Sequence, residues 1–312
     1  MLDTTDLSSP DFEFDYYIGS SSLQERLRDA VDSFLRRPLY KAIYSKKFAN
    51  LPYPVDLVLP EKGMSILARR QWVNQYVALH NSRILVIGCG SGWDFGSYLR
   101  FKPKEIVGID LYNFESSWQK IQKYCNQKEL PTRVIFHQAD IAELDNLKLG
   151  EFDIICSDAV FEHCRDLDSV LKVLHNSLRL GGVMYAAYGP LWYCWGGDHF
   201  SGRDGIEYGY NHLLLESTSY QDYYRANLQD PTFELQNGGR YIELDLFSKL
   251  SHREYFNLYE KNDFYPQSVI IEFSKKASIL KSTTTFRKLL GQFPNLSSYD
   301  FLIKSQIVIL SK

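Results

Sequence analysis

Three glycines at alternate positions, Gly88, Gly90 and Gly92, follow a short apolar run and could hold a nucleotide-like ligand. The apolar run, residues 84–87, is mostly β-branched and predicts a strand buried on both faces, as in a parallel sheet covered by helices. Glycine allows positive φ and lets a ligand approach bare backbone. The amides at the start of the next helix would point towards such a ligand, with the helix dipole behind them.

The spacing of these glycines does not suit a dinucleotide. A G-x-G-x-x-G turn needs a third glycine where helix and strand pack closely, and the corresponding places hold Trp93 or Phe95. A nicotinamide-dependent oxidoreductase is therefore disfavoured. The G-x-G-x-G run instead resembles the first motif of class I S-adenosylmethionine-dependent methyltransferases of the small-molecule type. The resemblance implies that this loop faces the methionine and ribose parts of S-adenosylmethionine. The loop residues expected to bind it are Gly88, Cys89, Gly90 and Gly92.

An acidic residue ends the second predicted strand, residues 105–110. Asp110 lies 20 residues after Gly90, about where a carboxylate accepts both ribose hydroxyl protons in nucleotide-binding folds. The same spacing matches the second motif of the resembled family. A helix-capping aspartate is the alternative, and it is weaker because a bound ribose requires an acidic strand end at this place.

A second carboxylate, Asp140, ends the third predicted strand, residues 133–141. It can accept a hydrogen bond from an adenine amino group, while Leu111 and Ile141 are placed to sandwich the adenine ring. Aspartate is also common at strand ends for turn reasons alone. Its place as the third strand end in the series favours the adenine role.

Residues 151–163 carry the fourth predicted strand and the loop after it. This stretch is similar to the fourth motif of the resembled family. The resemblance implies that the backbone at Ser157 and Asp158 receives the cofactor's amino group and faces the methyl acceptor.

Two histidines are candidates for a general base, which methyl transfer needs only if the acceptor is a hydroxyl or a protonated amine. His199 lies in a glycine-flanked turn past the fifth strand, where Asp198 could orient its imidazole. His163 follows the fourth strand, at a place that looks into the site in the resembled family. We favour His199 as the base, keep His163 as second, and take Asp158 as a possible orienting acid. Both histidines could instead serve only to fix their turns.

Metal and thiol chemistry are not expected. Some members of the resembled family use a divalent ion, with an acidic residue three places before a Glu-His step. That place is Ala159 here, so the carboxylate set around Glu162 and His163 is incomplete. The five cysteines are an odd number without a C-x-x-C pair, which argues against zinc or disulfide scaffolds and favours a reducing compartment. Cys89 and Cys194 are expected to be inert.

Strand and helix signals alternate from residue 83 onwards, as in βαβ units. The fifth strand is predicted over 183–188, after a helix over 167–180 that ends at two glycines. Two late strands, over 268–273 and 301–310, complete the sheet of the resembled family. The predicted fold class is α/β, with a Rossmann-like seven-stranded sheet, helices on both faces and an antiparallel last strand.

The methyltransferase core is predicted over residues 76–312 and an N-terminal helical cap over residues 1–75, where no strand of convincing length is visible. Apolar residues at helical spacing mark an amphipathic helix over 22–35. In the resembled family such N-terminal helices often close over the cofactor, and Tyr16 with Tyr17 would then be a lid contact. Structural cover for the sheet is the alternative.

The segment 190–261 is predicted as an insertion after the fifth strand and is dense in aromatic residues. Ligands of an open α/β sheet lie beyond the carboxyl ends of its strands. We therefore predict that this insertion forms a wall of the acceptor site. A small satellite core and a dimer interface are the alternatives.

The composition of the 312 residues, 45% hydrophobic and 23% charged, is that of a soluble globular protein with one large core. A net charge of -3 and a pI near 6.2 give no global attraction to phosphates, so no nucleic acid partner is expected. The N-terminus lacks the basic stretch followed by an apolar one that marks a signal peptide. No apolar run approaches the roughly 18 residues that span a bilayer. We expect no membrane span and a cytoplasmic location, while the oligomeric state stays open.

These residues together predict a methyltransferase that uses S-adenosylmethionine and acts on O or N of a small, partly aromatic or amphipathic molecule by in-line displacement. Alignment of the two reactants alone can supply on the order of 7 to 11 kcal/mol. Aromatic faces near the sulfonium are favourable through cation–π attraction. A methyltransferase of protein or RNA, and a non-catalytic cofactor-binding protein, are the alternatives.

Overall fold

A single mixed sheet forms the centre of the computed structural model, which describes residues 27, 30–61, 63–227 and 246–312. Eight strands pair in the order β1-β7-β8-β6-β5-β2-β3-β4. They are β1 (Leu57–Pro60), β2 (Arg83–Ile87), β3 (Glu105–Asp110), β4 (Arg133–Gln138), β5 (Phe152–Asp158), β6 (Leu178–Tyr188), β7 (Tyr265–Phe273) and β8 (Ile303–Ser311).

The strand directions are those predicted for a Rossmann-like α/β sheet. β8 runs antiparallel to both of its neighbours, β6 and β7, and every other neighbouring pair is parallel. The carboxyl ends of the seven parallel strands therefore share one edge of the sheet with the amino end of β8. The predicted fold class and the antiparallel last strand are confirmed.

One strand lies where none was predicted. β1 comes from the N-terminal segment and pairs parallel with β7, with Leu57 opposite Ile270. The Asp56 carboxylate fixes the start of this pairing, because its Oδ2 accepts the Ser268 hydroxyl at 2.5 Å and the Val269 amide at 3.0 Å. All four residues of β1 are buried. A run of four residues ending in proline is too short to be recognised as a strand from its pattern, and it makes the sheet eight-stranded rather than seven-stranded.

Helices cover both faces of the sheet, as predicted. In the described ranges the α-helices are α1 (Arg37–Tyr44), α2 (Ile66–Val73), α3 (Phe95–Leu99), α4 (Glu115–Gln127), α5 (Leu167–Ser177), α6 (Asn211–Leu214), α7 (Ser217–Asn227), α8 (His252–Lys261), α9 (Lys275–Leu280) and α10 (Thr284–Gln292). Of the predicted N-terminal helix over 22–35, only the end falls within the described residues, and the Tyr16–Tyr17 pair lies outside them.

The alternation of β2 shows how the two faces are filled. Ile84 and Val86 belong to a core with α2, α3 and α4, whereas Leu85 and Ile87 belong to a core with α5 and α8. Successive strand residues point to opposite faces, so a continuous apolar run is buried on both sides. This explains why the strand before the glycines lacks polar residues.

The described part of the insertion packs into a third core with α9 and α10. Trp192, Phe200, Tyr210 and Phe247 contact residues such as Phe301 there. The satellite core considered for this segment therefore exists in the structure. Residues 228–245 of the predicted insertion lie outside the described residues, and its role as an acceptor wall stays a prediction.

Within the described residues, no helix is long and apolar enough to cross a membrane.

Candidate active site

The glycine loop, residues 88–92, follows β2 at the carboxyl edge of the sheet, and all three of its glycines have positive φ. The φ angles are +61° at Gly88, +51° at Gly90 and +81° at Gly92. A Cβ at Gly88 would meet Val160 at 2.2 Å, and one at Gly92 would meet Ile121 at 2.8 Å. Packing therefore requires glycine at position 88, and the positive φ favours it at position 92.

Gly90 differs, because an added Cβ would meet nothing within 4 Å. Its neighbourhood is open, so a ligand can approach the backbone there without displacing a protein atom. The loop around it is fixed: the Trp118 indole donates to the Gly90 carbonyl at 2.8 Å, and Trp118 stacks on Phe136 with ring centroids 5.3 Å apart. A rigid loop with one open glycine suits a preorganised ligand seat.

Asp110 ends β3 and faces the glycine loop, as the sequence predicts. Its Oδ2 accepts the Gly90 amide at 2.7 Å, and its Oδ1 accepts the Tyr112 amide at 2.9 Å. Burial raises the pKa of this carboxyl, and the two amide donors oppose that rise. Each carboxylate oxygen has a further lone pair, so the loop-fixing role of Asp110 leaves room for contacts with a sugar.

Asp140 lies on the same edge of the sheet as Asp110. β3 and β4 are parallel neighbours, and the Ala139 amide donates to the Asp110 carbonyl at 2.9 Å. The Asp140 carboxylate accepts the Ala142 amide at 2.9 Å and begins the 3₁₀ turn Ile141–Leu147. Leu111 is 48% exposed at the end of β3. The structure therefore brings together the predicted ribose and adenine residues, including the half-buried Ile141.

Cys89 and Ser157 face inwards. The Cys89 side chain is buried, and its sulfur would lie 2.9 Å from a Cβ added to Gly108 in β3. Ser157 is fully buried in β5, and its hydroxyl has no hydrogen-bond partner among the described residues. Any contact of Cys89 with a ligand would be through its backbone. The buried Ser157 hydroxyl keeps an unpaired hydrogen-bond donor among the described residues.

A buried arginine that the sequence analysis did not single out ties the site together. Arg70 of α2 is fully buried, and its Nη2 donates to Asp158 at 2.6 Å and to Asp94 at 3.2 Å. Its guanidinium lies 4.0 Å from the ring centre of Tyr98, within cation–π range. Burial raises the pKa of Asp94 to about 6, and Arg70 opposes that rise.

Asp158 is held by three groups rather than by a histidine. Besides Arg70, it accepts the Tyr185 hydroxyl at 2.7 Å and the Arg69 guanidinium at 3.3 Å. Nothing in the sequence pattern pairs adjacent arginines of α2 with a carboxylate about 90 positions later. Their one signal is two charges in a short helix whose other residues include the buried Ala68, Trp72 and Val73.

The two candidate bases lie against each other. The rings of His163 and His199 stack with centroids 5.1 Å apart, and Phe247 contacts both. Burial lowers the pKa of His163 to about 3, with a smaller contribution from His199, and burial lowers the pKa of His199 to about 4. Both imidazoles are therefore neutral at pH 7 and are weak bases in this arrangement.

Asp198 does not orient His199 in the way that the sequence suggested. Its carboxylate accepts the Ser201 hydroxyl at 2.9 Å and the Tyr220 hydroxyl at 3.0 Å, together with nearby amides. Its nearest histidine nitrogen, at 3.8 Å, belongs to His212. His199 itself has a φ of +67°, an uncommon backbone conformation for a residue with a side chain.

Glu162 is a buried acid in the loop after β5. It is 1% exposed, and its Oε1 accepts the Gly189 amide at 2.9 Å while its Oε2 has no partner among the described residues. Burial raises its pKa from 4.5 to about 8. Glu162 is therefore mostly protonated at neutral pH and links the loop after β5 to the end of β6.

A cavity of about 480 Å³, here called the edge cavity, opens beside the glycine loop at the carboxyl edge. It extends from Trp93 past the end of β5 to the ends of β7 and β8. Its lining residues are Glu61, Ile66, Arg69, Trp93, Asp158, Ala159, Ala187, Tyr188, Gly189, Glu272, Lys304, Ser305 and Ile307. Of the three predicted catalytic residues, Asp158 is in this lining and the two histidines are not.

The charges of the edge cavity are mostly paired. Lys304 and Glu61 form an ion pair at 2.7 Å, and Arg69 pairs with Asp158. Glu272 is 6% exposed and accepts neutral donors: the Gly63 amide at 3.1 Å and the Ser305 hydroxyl at 2.7 Å. Among the described lining residues, Glu272 is therefore the carboxylate without a cation within ion-pair distance.

Several polar atoms near the glycine loop are buried without hydrogen-bond partners in the described part of the chain. They are Arg69 Nε, Arg70 Nη1, Asp94 Oδ1, Tyr98 Oη and Ser157 Oγ. Buried polar groups in native proteins normally have a partner, so such a concentration marks a place for bound water or a polar ligand. Together with the open face of Gly90, these atoms suit a polar cofactor such as S-adenosylmethionine. No metal-binding group of His, Cys, Asp or Glu is found among the described residues.

Comparison with known proteins finds matches to the part of the chain that carries this site. Residues 85–186, from β2 to the end of β6, match the family model described as methyltransferase domain. An uncharacterized protein of Haemophilus influenzae is 24% identical over 158 residues, which are 48% of this chain and 61% of that protein. A ubiquinone biosynthesis O-methyltransferase of Aromatoleum aromaticum is 26% identical over 117 residues, 38% of this chain and 48% of that enzyme. The chain thus spans about half to three fifths of the length of these relatives.

Among solved structures, the chain is similar to an arsenic(III) S-adenosylmethionine methyltransferase from Chlamydomonas reinhardtii. The TM-score is 0.44 and the identity 17%, over 76% of this chain and 65% of that one. Residues 85–186, about a third of the chain, thus match a methyltransferase domain, and the strand order agrees with the class I, S-adenosylmethionine-dependent type predicted from the glycine loop. The resemblance predicted from the glycine loop is confirmed.

The open glycine gives a test of the cofactor seat. We expect Gly90→Ala to weaken S-adenosylhomocysteine binding at least tenfold, about 1.4 kcal/mol, because the methyl group would occupy the approach to the backbone. Gly181 is the matched control, since it also has positive φ, +75°, and open space around it, but lies near the amino end of β6. Calorimetry of both variants should show normal affinity for Gly181→Ala. Equal affinity of the two variants for S-adenosylhomocysteine would contradict cofactor binding at Gly90.

Glu162 gives a pH test. Its pKa is raised on folding, so the folded state binds the proton more tightly, and the free energy of unfolding should fall as pH rises from 4.5 towards 8. Glu162→Gln keeps an acceptor for the Gly189 amide without a titrating group. Urea unfolding at several pH values should show a smaller fall for the variant than for the wild type. Identical slopes would mean that Glu162 is not protonated in the folded protein.

Proposed function

We propose that the protein is an S-adenosylmethionine-dependent methyltransferase that acts on O or N of a small, partly aromatic or amphipathic molecule by in-line displacement. The observation that carries this proposal is the edge of the sheet on which Gly90, Asp110 and Asp140 lie together, beside the edge cavity. A nucleoside cofactor requires an accessible backbone and the two carboxylates at successive strand ends. The acceptor requires the adjoining cavity.

The cofactor is proposed to lie along this edge. Asp110 would accept the ribose hydroxyls, and Asp140 the adenine amino group, with Leu111 and Ile141 on the two faces of the ring. The backbone at Ser157 and Asp158 would face the methionine amino group. Among the remaining residues, Arg69 suits the methionine carboxylate, because its guanidinium lines the edge cavity beside the end of β5.

S-adenosylmethionine supplies a methyl group on a positively charged sulfur. Held at this edge, it would supply that methyl group to the acceptor's lone pair, and the electron pair of the broken carbon–sulfur bond would go to sulfur. The protein's part is alignment and exclusion of water, which together can account for several kcal/mol of the barrier. The rigid glycine loop and the buried Arg70 network provide fixed walls for this alignment.

The edge cavity suits a small acceptor with an apolar and a polar part. Its volume of about 480 Å³ lies within the usual range for small-molecule sites. Ile66, Trp93 and Ile307 supply apolar wall, and Glu272 supplies a carboxylate that interacts electrostatically with Arg69 but forms no ion pair among the described lining residues. We infer that the acceptor presents a hydrogen-bond donor or a positive charge to Glu272.

His199 remains the proposed acceptor-side base, with His163 second and Asp158 third. The low pKa of His199 keeps its imidazole unprotonated at neutral pH but makes it a weak base, and its Nε2 has no partner among the described residues. Because His199 is not in the lining of the edge cavity, this role requires the acceptor to reach beyond that lining. Asp158 differs from His199 in both respects. It lines the edge cavity, but its carboxylate already accepts hydrogen bonds from two arginines and a tyrosine.

The relatives named ubiquinone biosynthesis O-methyltransferases support oxygen as the methylated atom and a small acceptor. We propose the cytoplasm as the location. No nucleic acid partner is proposed, because the chain carries a net charge of -3.

The proposed function predicts methyl transfer to small molecules. S-adenosylmethionine with a labelled methyl group, incubated with the protein and a small-molecule extract, should label low-molecular-weight products rather than protein or RNA. Asp110→Ala should abolish labelling through loss of cofactor binding. Glu272→Gln should slow labelling while S-adenosylhomocysteine affinity stays unchanged. Label in polymer only, or none at all with S-adenosylhomocysteine bound, would reject the small-molecule assignment.

The role of the base has its own test. We expect His199→Ala to lower kcat by about 100-fold or more, the usual scale for loss of a general base, with S-adenosylhomocysteine affinity nearly unchanged. The matched control is His80→Ala, because His80 is exposed near the opposite end of β2. Wild-type turnover in His199→Ala would mean that His163 is the general base or that the reaction uses none.

A further inference from the structure

The helical segment 30–48 carries a row of apolar side chains that the described residues leave uncovered. It runs through a π-helical stretch (Asp32–Arg36), α1 and a 3₁₀ turn (Ser45–Phe48). With Leu27 just before it, the exposed apolar side chains are Leu27, Val31, Phe34, Leu35, Leu39 and Ile43, of which Phe34 is 80% and Leu35 65% exposed. Steps of four residues from 27 to 43 place most of them along one side of a helix. We call this side the apolar stripe.

The opposite side of the same segment is docked on the protein. Tyr44 and Phe48 contact Phe273 at the end of β7, with ring centroids 4.8 and 5.8 Å apart. Phe48 is buried, and the Tyr299 hydroxyl donates to the Lys47 carbonyl at 3.3 Å. The orientation of the segment is therefore set by aromatic packing at β1 and β7, and the apolar stripe faces away from that packing.

The sequence that carries the stripe is strongly positive. Residues 27–48 contain six basic residues and two acidic ones, a net charge of +4 in a chain whose total is -3. The basic residues are Arg28, Arg36, Arg37, Lys41, Lys46 and Lys47, and the acidic ones are Asp29 and Asp32. A helix with an apolar side and lysine or arginine around it is the pattern of segments that lie in the interface of anionic membranes.

We propose that the apolar stripe docks the protein on the surface of an anionic lipid bilayer. Phe34, Leu35 and Leu39 would enter the boundary between head groups and acyl chains, and the exposed Lys41 and Lys46 would lie at the lipid phosphates. Charge complementarity selects this occupant over a second copy of the chain. A symmetric dimer through the stripe would bring two patches of net charge +4 together, which electrostatics opposes.

Docking in this way has a geometric consequence for the edge cavity. The segment packs on Phe273, which follows Glu272 of the cavity lining, and β1 leads directly to Glu61 of the same lining. The bilayer surface would therefore lie on the side of the molecule where the edge cavity is. The docking surface itself does not depend on the proposed methyl transfer.

The test is binding to vesicles by the full chain. The wild type should cosediment with vesicles of equal parts phosphatidylcholine and phosphatidylglycerol, release with added salt, and bind vesicles of phosphatidylcholine alone at least tenfold more weakly. Phe34→Ser with Leu39→Ser should lower binding to anionic vesicles at least tenfold. Lys41→Glu with Lys46→Glu should do the same. Leu180→Ser is the matched control, since Leu180 is 83% exposed near the amino end of β6 and should leave binding unchanged.

S-adenosylhomocysteine calorimetry on every variant separates loss of docking from loss of folding, and it also separates failure of docking from failure of the proposed function. Absence of vesicle binding by the wild type would overturn the proposal. So would a wild-type dimer that Leu39→Ser dissociates, because a second copy would then cover the stripe. Equal loss of binding in Leu180→Ser would show nonspecific adsorption and would overturn it as well.

Discussion

The candidate site depends on one fully buried charge. Arg70 joins α2 to the start of α3 through Asp94 and to the end of β5 through Asp158, while the rings of Tyr98 and Tyr185 lie against its guanidinium. Taking an ion out of water is costly unless it is paired and hydrogen-bonded. The three chain segments that meet at Arg70 must therefore take up their mutual positions together, and these same segments border the glycine loop and the edge cavity.

The polar groups on the two sides of β2 differ in how deeply they are buried. On the β3–β4 side of β2, carboxylates at strand ends accept backbone amides, as at the buried Asp110 and the exposed Asp140. On the β5–β6 side the polar groups are more deeply enclosed, and burial holds Glu162 protonated and His199 unprotonated at neutral pH. A hydrophilic nucleoside suits the first side, and a reaction from which water is excluded suits the second.

The sequence predicts features that depend on local pattern. A continuous apolar run, alternate glycines and an aspartate at a strand end are each determined within a few residues, which is why the places of Gly90 in the loop and Asp110 at the end of β3 could be predicted. Features that depend on distant partners were missed. Arg70 shows no local sign of Asp158, β1 becomes a strand only because the edge of β7 is available, and Glu272 gains its place from the register of β7 with β8. Asp198 was expected to orient His199, but its carboxylate accepts hydroxyl groups instead, including that of Tyr220 beyond its own turn.

β1 also changes what kind of motion the N-terminal region can make. Predicted as a helical cap over residues 1–75, it could have swung as one piece from a joint next to β2. With Leu57–Pro60 paired in the sheet, a rigid swing of that whole region would break main-chain bonds to β7. Any gate at this edge must instead pivot upstream of β1, where Pro52 and Pro54 interrupt the backbone between Phe48 and the sheet. Such a pivot and Glu61 of the edge cavity would then be only a few residues apart along the chain.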